Sequence, residues 1–592
     1  MCGIIGYIGE DASNIAVSSL KKLEYRGYDS SGIATILNNK IEITKCVGEI
    51  ANLEKALAPT PCTIAIAHTR WATHGKATKE NAHPHQNKEK TLALVHNGII
   101  ENFEQLKKQY NLKPTSQTDT EIAALVISKQ PQANNLAKLI SACKQFVGSY
   151  AFALIDKNQP STIYLAKQKS PLFVATNKNS CLASSDPICF CGKYKNYYTL
   201  ADNEFCVMKK GELLFFNKNQ KQIKKKPQNV GGFENSANKN HYAFFAEKEV
   251  NQTPEVAEKI IKNYSQTNYL KNIDAEFLKN INQIHLIGCG TAYHACLMGA
   301  SYLEKKLAIP ASAHIASEYI YSKSPNKNTL CIFLSQSGET ADTILSLKKA
   351  KQNRAKTLAI VNVPYSTIAK QCNITLPCFA GAEIAVISTK AYTSMLCVLK
   401  ILSSHISKVI TNKKQINCVP SSLKNITKKS INSFPGLNKL KKLVLENEKI
   451  IFLGKNEDYI TAQEASLKLK EITYINSIAL PSGELKHGSL ALVDSKTLAI
   501  FISTNPKTHQ KNLSSASEIK ARGGKVAMLT NLELSKADRK KVDYVYSFAK
   551  TPASLSSIAS IIPLQKLAIS VCIAKGLNPD KPRNLAKSVT VE

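Results

Sequence analysis

Short apolar runs separated by polar turns dominate the first third of the chain. The runs are rich in Ile, Val, Thr and Tyr: CGIIGYIG, GIATIL, TIAIAHTRW, TLALVHNGII, YAFALID and TIYLAK. Such runs predict β-strands. Two stretches with helical periodicity, at about 14–25 and 119–129, interrupt them. We therefore predict an α+β domain with sheets at its centre over residues 2–215.

The pattern changes twice further along the chain. Residues 216–245 include NKNQKQIKKKPQNVGGFENSANKN, which is polar and almost without apolar periodicity, so we expect a linker. From about Glu276 onward, hydrophobic strands alternate with helical stretches of about 10 to 15 residues, which is typical of a parallel α/β sheet. We predict doubly wound α/β domains at 246–425 and 426–582 and a C-terminal tail at 583–592.

The α/β pattern occurs twice. Three strands recur in the same order and at nearly constant spacing: IHLIG, CIFLS and KTLAIVN, ending at 288, 335 and 362, match IIFLG, AIFIS and KVAMLTN, ending at 454, 503 and 531. This repeat predicts two similar lobes. A chance likeness between α/β strands is the alternative interpretation.

Size and charge narrow the class of protein. A chain of 592 residues is too long to fold around a single hydrophobic core, so about three or four domains are expected. The net charge of +34 suggests a nucleic-acid or membrane partner. The basic residues are spread along the chain, however, and no zinc-finger, basic-zipper or RNA-binding motif accompanies them. We expect no nucleic-acid partner and only a general attraction of anionic substrates.

The cysteines and the N-terminus favour a soluble, cytoplasmic protein. Sixteen cysteines lack a repeating spacing or a CxxC pair, which is typical of reduced thiols. A signal peptide has a basic segment before its apolar run, and the start MCGIIGYIGE has none. No apolar stretch of about 18 residues occurs, so no membrane partner is expected.

Cys2 is a candidate nucleophile because it directly follows the initiator Met. Removal of Met1 would place a thiol and an α-amine on one residue. An amine that titrates near about 7.7 to 8.0 is a suitable general base for a neighbouring nucleophile. A cysteine beside a start codon is common, so the position alone decides nothing.

Four further segments supply the groups that amide hydrolysis needs: EYRGYDSSG, HTRWATHG, HNG and TDTE. Arg70 can bind an α-carboxylate, and Asp119 can bind an α-ammonium group. Asn97 and Gly98, expected at a turn after the strand TLALV, can supply N–H donors for an oxyanion. Taken singly, HNG also fits an ordinary turn, and Arg70 fits a surface ion pair.

Together these segments closely resemble the N-terminal-nucleophile (class II) glutamine amidotransferase domain over residues 2–215. The resemblance implies that Cys2 forms a glutamyl thioester and that Asn97 and Gly98 build the oxyanion hole. It implies a glutamine-binding set of Arg70, Trp71, Thr73, His74 and Asp119. In this family the equivalent of Trp71 gates an ammonia passage; a core aromatic is the other interpretation.

A metal site is not expected among the neighbouring histidines His68, His74, His83, His85 and His96. The HPH segment lacks helical i, i+4 geometry, and no acidic pattern accompanies it.

Two loops of the first α/β lobe carry candidate ligand groups. GCGTAY (288–293) has a tyrosine where a dinucleotide fingerprint needs glycine, so that interpretation is weak. SQSGET (335–340) follows a strand and precedes a helix, and its hydroxyls and N–H groups suit a phosphate. A simple helix N-cap is the alternative. The counterpart STNPKT lacks the glycine and the second serine, so we expect only the first lobe to bind phosphate.

The second lobe and the tail supply candidate acid–base groups. Glu464, Lys468 and Glu471 fall on one face of a predicted helix, although an exposed salt-bridged face fits equally well. His487, in a Gly-flanked loop, can shuttle a proton. Lys587 can form a Schiff base with a carbonyl sugar, whereas a chain end is usually frayed.

GCGT, SQSGET, STKAYTS (388–394), the KE and ELKHG segments and PRNLAKSVTVE match, in order, the paired sugar-isomerase (SIS) domains of the glutamine:fructose-6-phosphate aminotransferase family. The resemblance covers nearly the whole chain. It implies that the sugar phosphate is held by Thr291, Ser335, Gln336, Ser337, Thr340 and Val386. It further implies Lys587 as the Schiff-base lysine, Glu471 as the base between C1 and C2, and His487 as the ring-opening group from a neighbouring subunit, hence a homodimer.

The resemblance implies conversion of fructose 6-phosphate and glutamine to glucosamine 6-phosphate and glutamate, the first step of hexosamine synthesis, without a cofactor or metal. One departure is Ala292, where many members have serine; we expect backbone N–H groups to replace that hydroxyl.

Two other functions fit the sequence less well. A phosphoribosyl-diphosphate amidotransferase needs adjacent acids after a strand, and a sugar-phosphate-sensing regulator usually carries a helix-turn-helix instead of a Cys2 domain.

Overall fold

The structure is a computed structural model that describes residues 2–58, 61–71, 75–230, 238–322, 324–364, 366–412, 420–432, 436–548 and 550–589. The chain divides into two compact units. The first comprises Met1–Asn238 with Ala586–Glu592, and the second comprises Lys239–Leu585.

The first unit is built mainly of antiparallel strands. Its strands are β1 (Gly3–Ile8), β2 (Ser30–Leu37), β3 (Lys40–Val47), β4 (Ile64–Arg70), β5 (His85–Gln86), β6 (Leu92–Ile100), β7 (Gly148–Asp156), β8 (Ile163–Gln168), β9 (Phe173–Thr176), β10 (Cys181–Ser184), β11 (Asn196–Thr199), β12 (Glu204–Lys209), β13 (Glu212–Asn217), β14 (Gln222–Ile223) and β15 (Gln228–Asn229). Its helices are α1 (Ala12–Lys21), α2 (Ile50–Ala56), α3 (Phe103–Gln109), α4 (Asp119–Ser128) and α5 (Asn135–Cys143).

Two sheets pack face to face in this unit. One has the strand order β15-β11-β9-β10-β1-β4-β2-β3 and the other β14-β13-β12-β8-β7-β6-β5. Alternate residues of a strand point to opposite faces. Val95 of β6 therefore joins Ile4 and Ile66 in the apolar layer between the sheets, while Leu94 packs with α4 and α5 on the outer face. This sandwich confirms the predicted α+β domain.

Some details of the first unit differ from the sequence prediction. The predicted helices correspond to α1 and α4, but α2, α3 and α5 were not predicted. Each has only seven to nine residues, about two turns, which is too short for apolar periodicity to stand out. The segment predicted as a linker begins within β13 and also forms β14 and β15, so part of it completes the two sheets.

The second unit alternates helices with parallel strands. Its helices are α6 (Phe245–Asn251), α7 (Thr253–Gln266), α8 (Ala275–Leu278), α9 (Thr291–Glu304), α10 (Ala316–Tyr319), α11 (Ala341–Gln352), α12 (Thr367–Gln371), α13 (Lys390–Thr411), α14 (Leu423–Asn432), α15 (Leu437–Glu446), α16 (Glu457–Thr473), α17 (Pro506–Lys520), α18 (Lys536–Lys540) and α19 (Ser556–Ala574). Its strands are β16 (Gln283–Gly288), β17 (Ala311–Ile315), β18 (Thr329–Ser335), β19 (Lys356–Val361), β20 (Ile374–Pro377), β21 (Lys449–Gly454), β22 (Ser477–Pro481), β23 (Thr497–Ile502), β24 (Lys525–Thr530) and β25 (Tyr544–Ser547).

The two lobes of this unit have the same topology. The sheets run β17-β16-β18-β19-β20 and β22-β21-β23-β24-β25, and every strand pair is parallel. The recurring strands of the sequence occupy equivalent places in the two sheets, which confirms the predicted repeat. One apolar core joins the lobes and includes Leu286, Tyr392, Leu396, Phe452 and Ile562.

Two helices of this shared core are long and apolar. Lys390–Thr411 and Ala553–Ala574 meet the length and composition of a membrane span, but 72% and 78% of their apolar windows are buried inside the protein. Core helices of soluble proteins meet the same criteria, and such burial is what a core helix requires.

The core position of α13 predicts a stability effect. Leu396 is 0% exposed, so Leu396→Ala should destabilise the second unit by about 2–5 kcal/mol through lost burial and a residual cavity. Urea unfolding followed by circular dichroism should show a lower midpoint. Leu445→Ala is the control because Leu445 is 43% exposed. Equal midpoints for the two variants would contradict this assignment of the core.

Candidate active sites

The Cys2 thiol lies at the end of a strand pairing. Cys2 directly precedes β1, and β1 pairs antiparallel with β4, so that Gly3 lies opposite Thr69. This register brings the thiol to the residue after β4, and the Trp71 N–H donates to Sγ over 3.3 Å. Burial raises the pKa of the Cys2 thiol, although nearby positive charge and the Trp71 N–H oppose that rise. A thiol with a raised pKa is mostly protonated near neutral pH, so its attack needs a proton acceptor.

The side chain of Asn97 is held in one orientation beside Cys2. Its Nδ2 donates to the Cys2 carbonyl oxygen over 2.8 Å. The His68 Nε2 lies 2.9 Å from the His96 carbonyl oxygen and 3.1 Å from the Asn97 Oδ1. Both of these oxygens can only accept, so Nε2 carries a proton and donates to both. His68 therefore fixes Oδ1 and leaves the amide N–H groups directed toward Cys2.

Asn97 and Gly98 lie inside a strand, which corrects the expected turn. β6 continues to Ile100, and Gly98 lies opposite Tyr150 of β7. Pairing with β7 outweighs the turn preference of Asn-Gly. Gly98 has φ +136, and an added Cβ would lie 2.0 Å from the Ser149 carbonyl oxygen, so only glycine fits. The two proposed oxyanion donors thus sit on a rigid strand.

Arg70 lies within electrostatic range of both the Cys2 thiol and Asp119. Arg70 ends β4, and its Nη1 and Nη2 donate to the Lys76 and Gly75 carbonyl oxygens over 3.2 and 3.3 Å. Burial lowers the pKa of Arg70, while the charges of Cys2 and Asp119 oppose that shift. Asp119 begins α4, and its Oδ2 accepts from the Ile100 N–H over 2.8 Å. Two predicted glutamine contacts, Thr73 and His74, lie outside the described residues.

Trp71 is half-buried. Its ring lies edge-on to Tyr28, with ring centroids 6.1 Å apart and an interplanar angle of 90°. Its backbone N–H contacts the thiol while the indole is only partly enclosed. This position differs from that of a fully enclosed core aromatic, and the gating role stays a prediction.

Four buried histidines form a packed layer beneath the thiol site. His68 stacks on His83 with centroids 4.0 Å apart, and His83 meets His85 edge-on. The His85 Nε2 and His96 Nδ1 lie 3.0 and 2.9 Å from threonine hydroxyls at the start of α4. Burial lowers the pKa of all four, that of His68 to about 3. No metal-binding group of three is found among the described residues. The sequence contains these histidines but does not reveal that His68 positions Asn97.

The first lobe of the second unit has a crevice at its sheet edge. The chain connects β16 to β17 on one side, while β18 lies on the other side of β16. Thr291 follows β16, and the segment 335–340 begins at the last residue of β18. Ligands of open parallel α/β sheets bind at the carboxyl ends of the strands, where the connections diverge in this way. The predicted phosphate loop lies at this point.

The SQSGET loop is held together by its own hydroxyl groups. The Ser335 Oγ accepts from the Gly338 N–H over 2.9 Å and lies 3.0 Å from the Thr340 Oγ1. Gly338 has φ +66, and an added Cβ would lie 1.9 Å from the Ser366 Oγ, so only glycine fits. Ser335 is buried and shapes the loop. The half-buried members are Gln336, Ser337, Glu339 and Thr340.

A protein side chain fills the corresponding crevice of the second lobe. Buried Asp458, in the first turn of α16, accepts from the Thr504 N–H over 2.9 Å and from its hydroxyl over 2.6 Å. Gly290 and Asn456, which precede α9 and α16, have nearly equal φ of 52 and 54 and ψ of −124 and −125. Asp458 therefore stands where Ala292 stands in the first lobe. A carboxylate occupies the second cradle, as its divergent sequence suggests.

Glu464, Lys468 and Glu471 lie on a buried face of α16, which excludes the exposed salt-bridged face. The side chains of Glu464 and Lys468 are 0% and 1% exposed, and that of Glu471 is 21% exposed. The Lys468 Nζ donates to the Glu471 Oε2 over 2.7 Å and to the Thr291 Oγ1 over 2.9 Å. Burial alone would lower the pKa of Lys468, but the charges of Glu471 and Glu464 outweigh it and raise the pKa. The charged ammonium therefore joins predicted site residues of both lobes.

Two backbone N–H groups at the predicted sugar site are already used. The Ala292 N–H donates to the Cys289 carbonyl oxygen over 3.0 Å, and the Val386 N–H donates to the Asp580 carbonyl oxygen over 3.0 Å. The Ala292 N–H therefore has an acceptor within its own turn, and the replacement of the missing hydroxyl by other backbone N–H groups stays a prediction. Ala292 lies in the first turn of α9, where the Cys289 carbonyl closes the turn.

The C-terminal segment is anchored at the end of α16. The Arg583 N–H donates to the Tyr474 Oη over 2.8 Å, and the Arg583 guanidinium lies 4.2 Å from the Tyr474 ring centroid. Tyr474 directly follows α16, one turn beyond Glu471. Lys587 lies in the segment Ala586–Glu592, which belongs to the first unit, so its meeting with Glu471 stays a prediction.

His487 is exposed on the second lobe. It follows a short 3-10 turn, and its backbone N–H donates to the Glu484 carbonyl oxygen over 3.0 Å. Its imidazole makes no hydrogen bond within the described ranges. The structure therefore does not bring His487 together with Glu471 within one lobe.

Comparison with known proteins identifies the family. A family profile described as the SIS domain matches residues 277–404 and 443–575, and one described as the glutamine amidotransferase domain matches residues 68–191. The glutamine–fructose-6-phosphate aminotransferases (isomerizing) of Clostridium tetani and Fusobacterium nucleatum are each 38% identical, over 610 and 611 residues, with 100% of both chains covered. The chain belongs to the glutamine–fructose-6-phosphate aminotransferase family.

A solved structure supports the same conclusion for the second unit. The C-terminal domain of glucosamine-fructose-6-phosphate aminotransferase from Francisella tularensis matches with a TM-score of 0.54 and 33% identity, covering 58% of this chain and 100% of that chain. The two SIS matches contain the two five-stranded sheets. The predicted order, an amidotransferase domain followed by two SIS domains, is confirmed. The roles of single residues stay predictions.

The buried histidines predict a pH dependence of the amidotransferase unit. Their folded-state pKa values lie below the ordinary 6.5, so the unfolded chain binds more protons between about pH 3 and 6.5, and stability falls as pH falls below about 6.5. Urea midpoints followed by the fluorescence of Trp71, the single tryptophan, should decrease from about pH 7 to 5.

The variant His83→Phe keeps a stacked ring but binds no proton, so its midpoint should decrease less steeply over the same range. A wild-type midpoint that stays constant over this range would show that the histidine layer does not govern acid stability.

Proposed function

We propose that this chain converts fructose 6-phosphate and glutamine to glucosamine 6-phosphate and glutamate. The observation that carries the proposal is the pairing, in one chain, of a thiol beside a fixed amide donor with a buried lysine–carboxylate group at an isomerase-type crevice. The full-length likeness to aminotransferases of this name supports it. The enzyme acts in the cytoplasm as a homodimer.

Glutamine hydrolysis is assigned to the first unit. Arg70 binds the α-carboxylate and Asp119 the α-ammonium group of glutamine. The α-amine freed by removal of Met1 accepts the thiol proton, and the Cys2 Sγ attacks the amide carbon to give a thioester and ammonia. The N–H groups of Asn97 and Gly98 stabilise the oxyanion. The orientation that His68 imposes on Asn97 supports this role.

Sugar chemistry is assigned to the second unit and the tail. The SQSGET loop and Thr291 hold the phosphorylated sugar at the crevice of the first lobe. His487 of the partner subunit opens the ring, and Lys587 forms a Schiff base at C2 that ammonia displaces. Glu471 then moves a proton between C1 and C2. The 2.7 Å contact with Lys468 and the partial exposure of Glu471 support that role, because a base must be held in place and be accessible to the substrate.

The thiol assignment predicts a selective loss. Cys2→Ala removes the nucleophile, so glutamine-dependent synthesis of amino sugar should fall by at least about 10³-fold, whereas isomerisation of fructose 6-phosphate should persist. Glutamate release and amino-sugar formation measure the first activity, and a coupled assay of glucose 6-phosphate measures the second. Cys46→Ala, a half-buried cysteine of the same unit, is the control and should match wild type. Synthesis retained by the Cys2 variant would sink the assignment.

The base assignment predicts the opposite selectivity. Glu471→Gln keeps the shape of the side chain but cannot accept a proton, so sugar isomerisation should fall by about 10²- to 10⁴-fold while glutamine hydrolysis continues. The control is Glu448→Gln, because the Glu448 carboxylate is 66% exposed and pairs with Lys496 at the surface. Isomerisation retained by the Glu471 variant would overturn this assignment, and continued glutamine hydrolysis shows that the variant is folded.

A further inference from the structure

His294 contacts a carboxylate that the proposed reaction does not use. It lies one turn after Thr291 on α9, and its Nδ1 is 2.6 Å from the Glu464 Oε2. The Glu464 side chain is 0% exposed, and that of His294 is 13% exposed. Because a carboxylate only accepts, His294 Nδ1 carries the proton and donates to Oε2. This charge-assisted bond crosses from the first lobe to the second.

His294 supplies the only hydrogen bond to that oxygen among the described residues. The other oxygen, Oε1, accepts from the Thr291 hydroxyl over 3.1 Å and lies 3.6 Å from the Lys468 Nζ. A fully buried carboxylate needs donors on both oxygens. Without His294, Glu464 would satisfy its charge by drawing closer to the nearest mobile donor, which is the Lys468 ammonium.

Lys468 is the group for which the two carboxylates compete. Its ammonium has three N–H donors: it donates to the Glu471 Oε2 and the Thr291 Oγ1 over 2.7 and 2.9 Å, and it forms an ion pair with the Glu464 Oε1 at 3.6 Å. The unequal distances show that Lys468 favours Glu471 while His294 satisfies Glu464. Moving the ammonium toward Glu464 would leave Glu471 without its fixed partner.

We propose that His294 is a positioning residue for the sugar reaction: by donating to Glu464, it leaves Lys468 free to hold Glu471 in place. This inference rests on the proposed role of Glu471 as the base. His294 acts as a hydrogen-bond donor and carries no proton to or from the substrate. Residues that can donate from the same position should therefore replace it.

Three variants of His294 test the proposal in the full-length enzyme. His294→Ala removes the donor and should lower kcat for amino-sugar synthesis by about tenfold or more, with KM for fructose 6-phosphate within about threefold of wild type. His294→Asn places an amide N–H near the Nδ1 position and should recover most of kcat with an unchanged pH profile. Glutamine hydrolysis should be unchanged in both. His314→Ala, a half-buried histidine of the same lobe, should match wild type.

A double-mutant cycle adds the decisive comparison. If His294 acts through Glu464, then His294→Ala should change kcat by less than about twofold in a Glu464→Gln background. The proposal is overturned if the Asn variant is as slow as the Ala variant, if only KM changes, or if the two substitutions are additive. If the Ala variant does not fold, His294→Gln is compared with His294→Asn instead. Only the Asn variant places its amide N–H near the Nδ1 position, so only that variant should restore kcat.

The two proposals fail in different ways. If wild type makes no amino sugar, or if Glu471→Gln stays active, then the proposed function fails. If wild type is active, Glu471→Gln is inactive and His294→Ala equals wild type, then only the positioning role of His294 fails.

Discussion

The buried ammonium of Lys468 is the interaction on which the second unit depends. A charged lysine that is 1% exposed is tolerated only when its N–H groups are paired, and removing one partner of a buried pair costs about 3–5 kcal/mol. Its partners come from two helices: Glu464 and Glu471 from its own helix α16, and Thr291 from α9. Each of these helices follows the first strand of its lobe. The ammonium therefore fixes how the two lobes meet and places the exposed edge of Glu471 beside the first-lobe loops.

Duplication followed by divergence accounts for the asymmetry between the lobes. Both retain the same strand order and the same backbone conformation before the first helix. In the second lobe, Asp458 binds the Thr504 N–H and hydroxyl, the types of donor that a phosphate would use. A buried carboxylate at this point repels any anion, because two negative charges would share one set of donors. This difference between the lobes agrees with the proposal that the first lobe binds the phosphate and that α16 of the second lobe supplies the acid–base groups.

Much of the fold could be predicted because strong patterns are local. The buried strands of parallel sheets are continuous apolar runs, so the repeat is visible in IHLIG and IIFLG. The site was predicted less well because it depends on distant segments. Asn97 and Gly98 have local turn preference, but pairing with β7 overrides it. From the sequence alone, the alternating charges of α16 fit an exposed face. The structure shows that Thr291 and His294, on α9, lie against them. Similarly, His68 gains its role only when β4 and β6 bring it to Asn97.

The Cys2 site and the proposed sugar site differ in their electrostatic environment, and the chemistry proposed for each accounts for the difference. Around Cys2, burial raises the pKa of the thiol and lowers that of the nearby histidines, so the proposed oxyanion would meet neutral dipoles such as the Asn97 amide. Neutral donors of this kind stabilise charge that appears only in the transition state, without attracting a resting anion. The proposed sugar site would instead have to move a proton, which requires a carboxylate as base. The Lys468 ammonium, 2.7 Å from the Glu471 Oε2, holds that carboxylate in place. The same chain can hold both environments because it builds them in separate compact units.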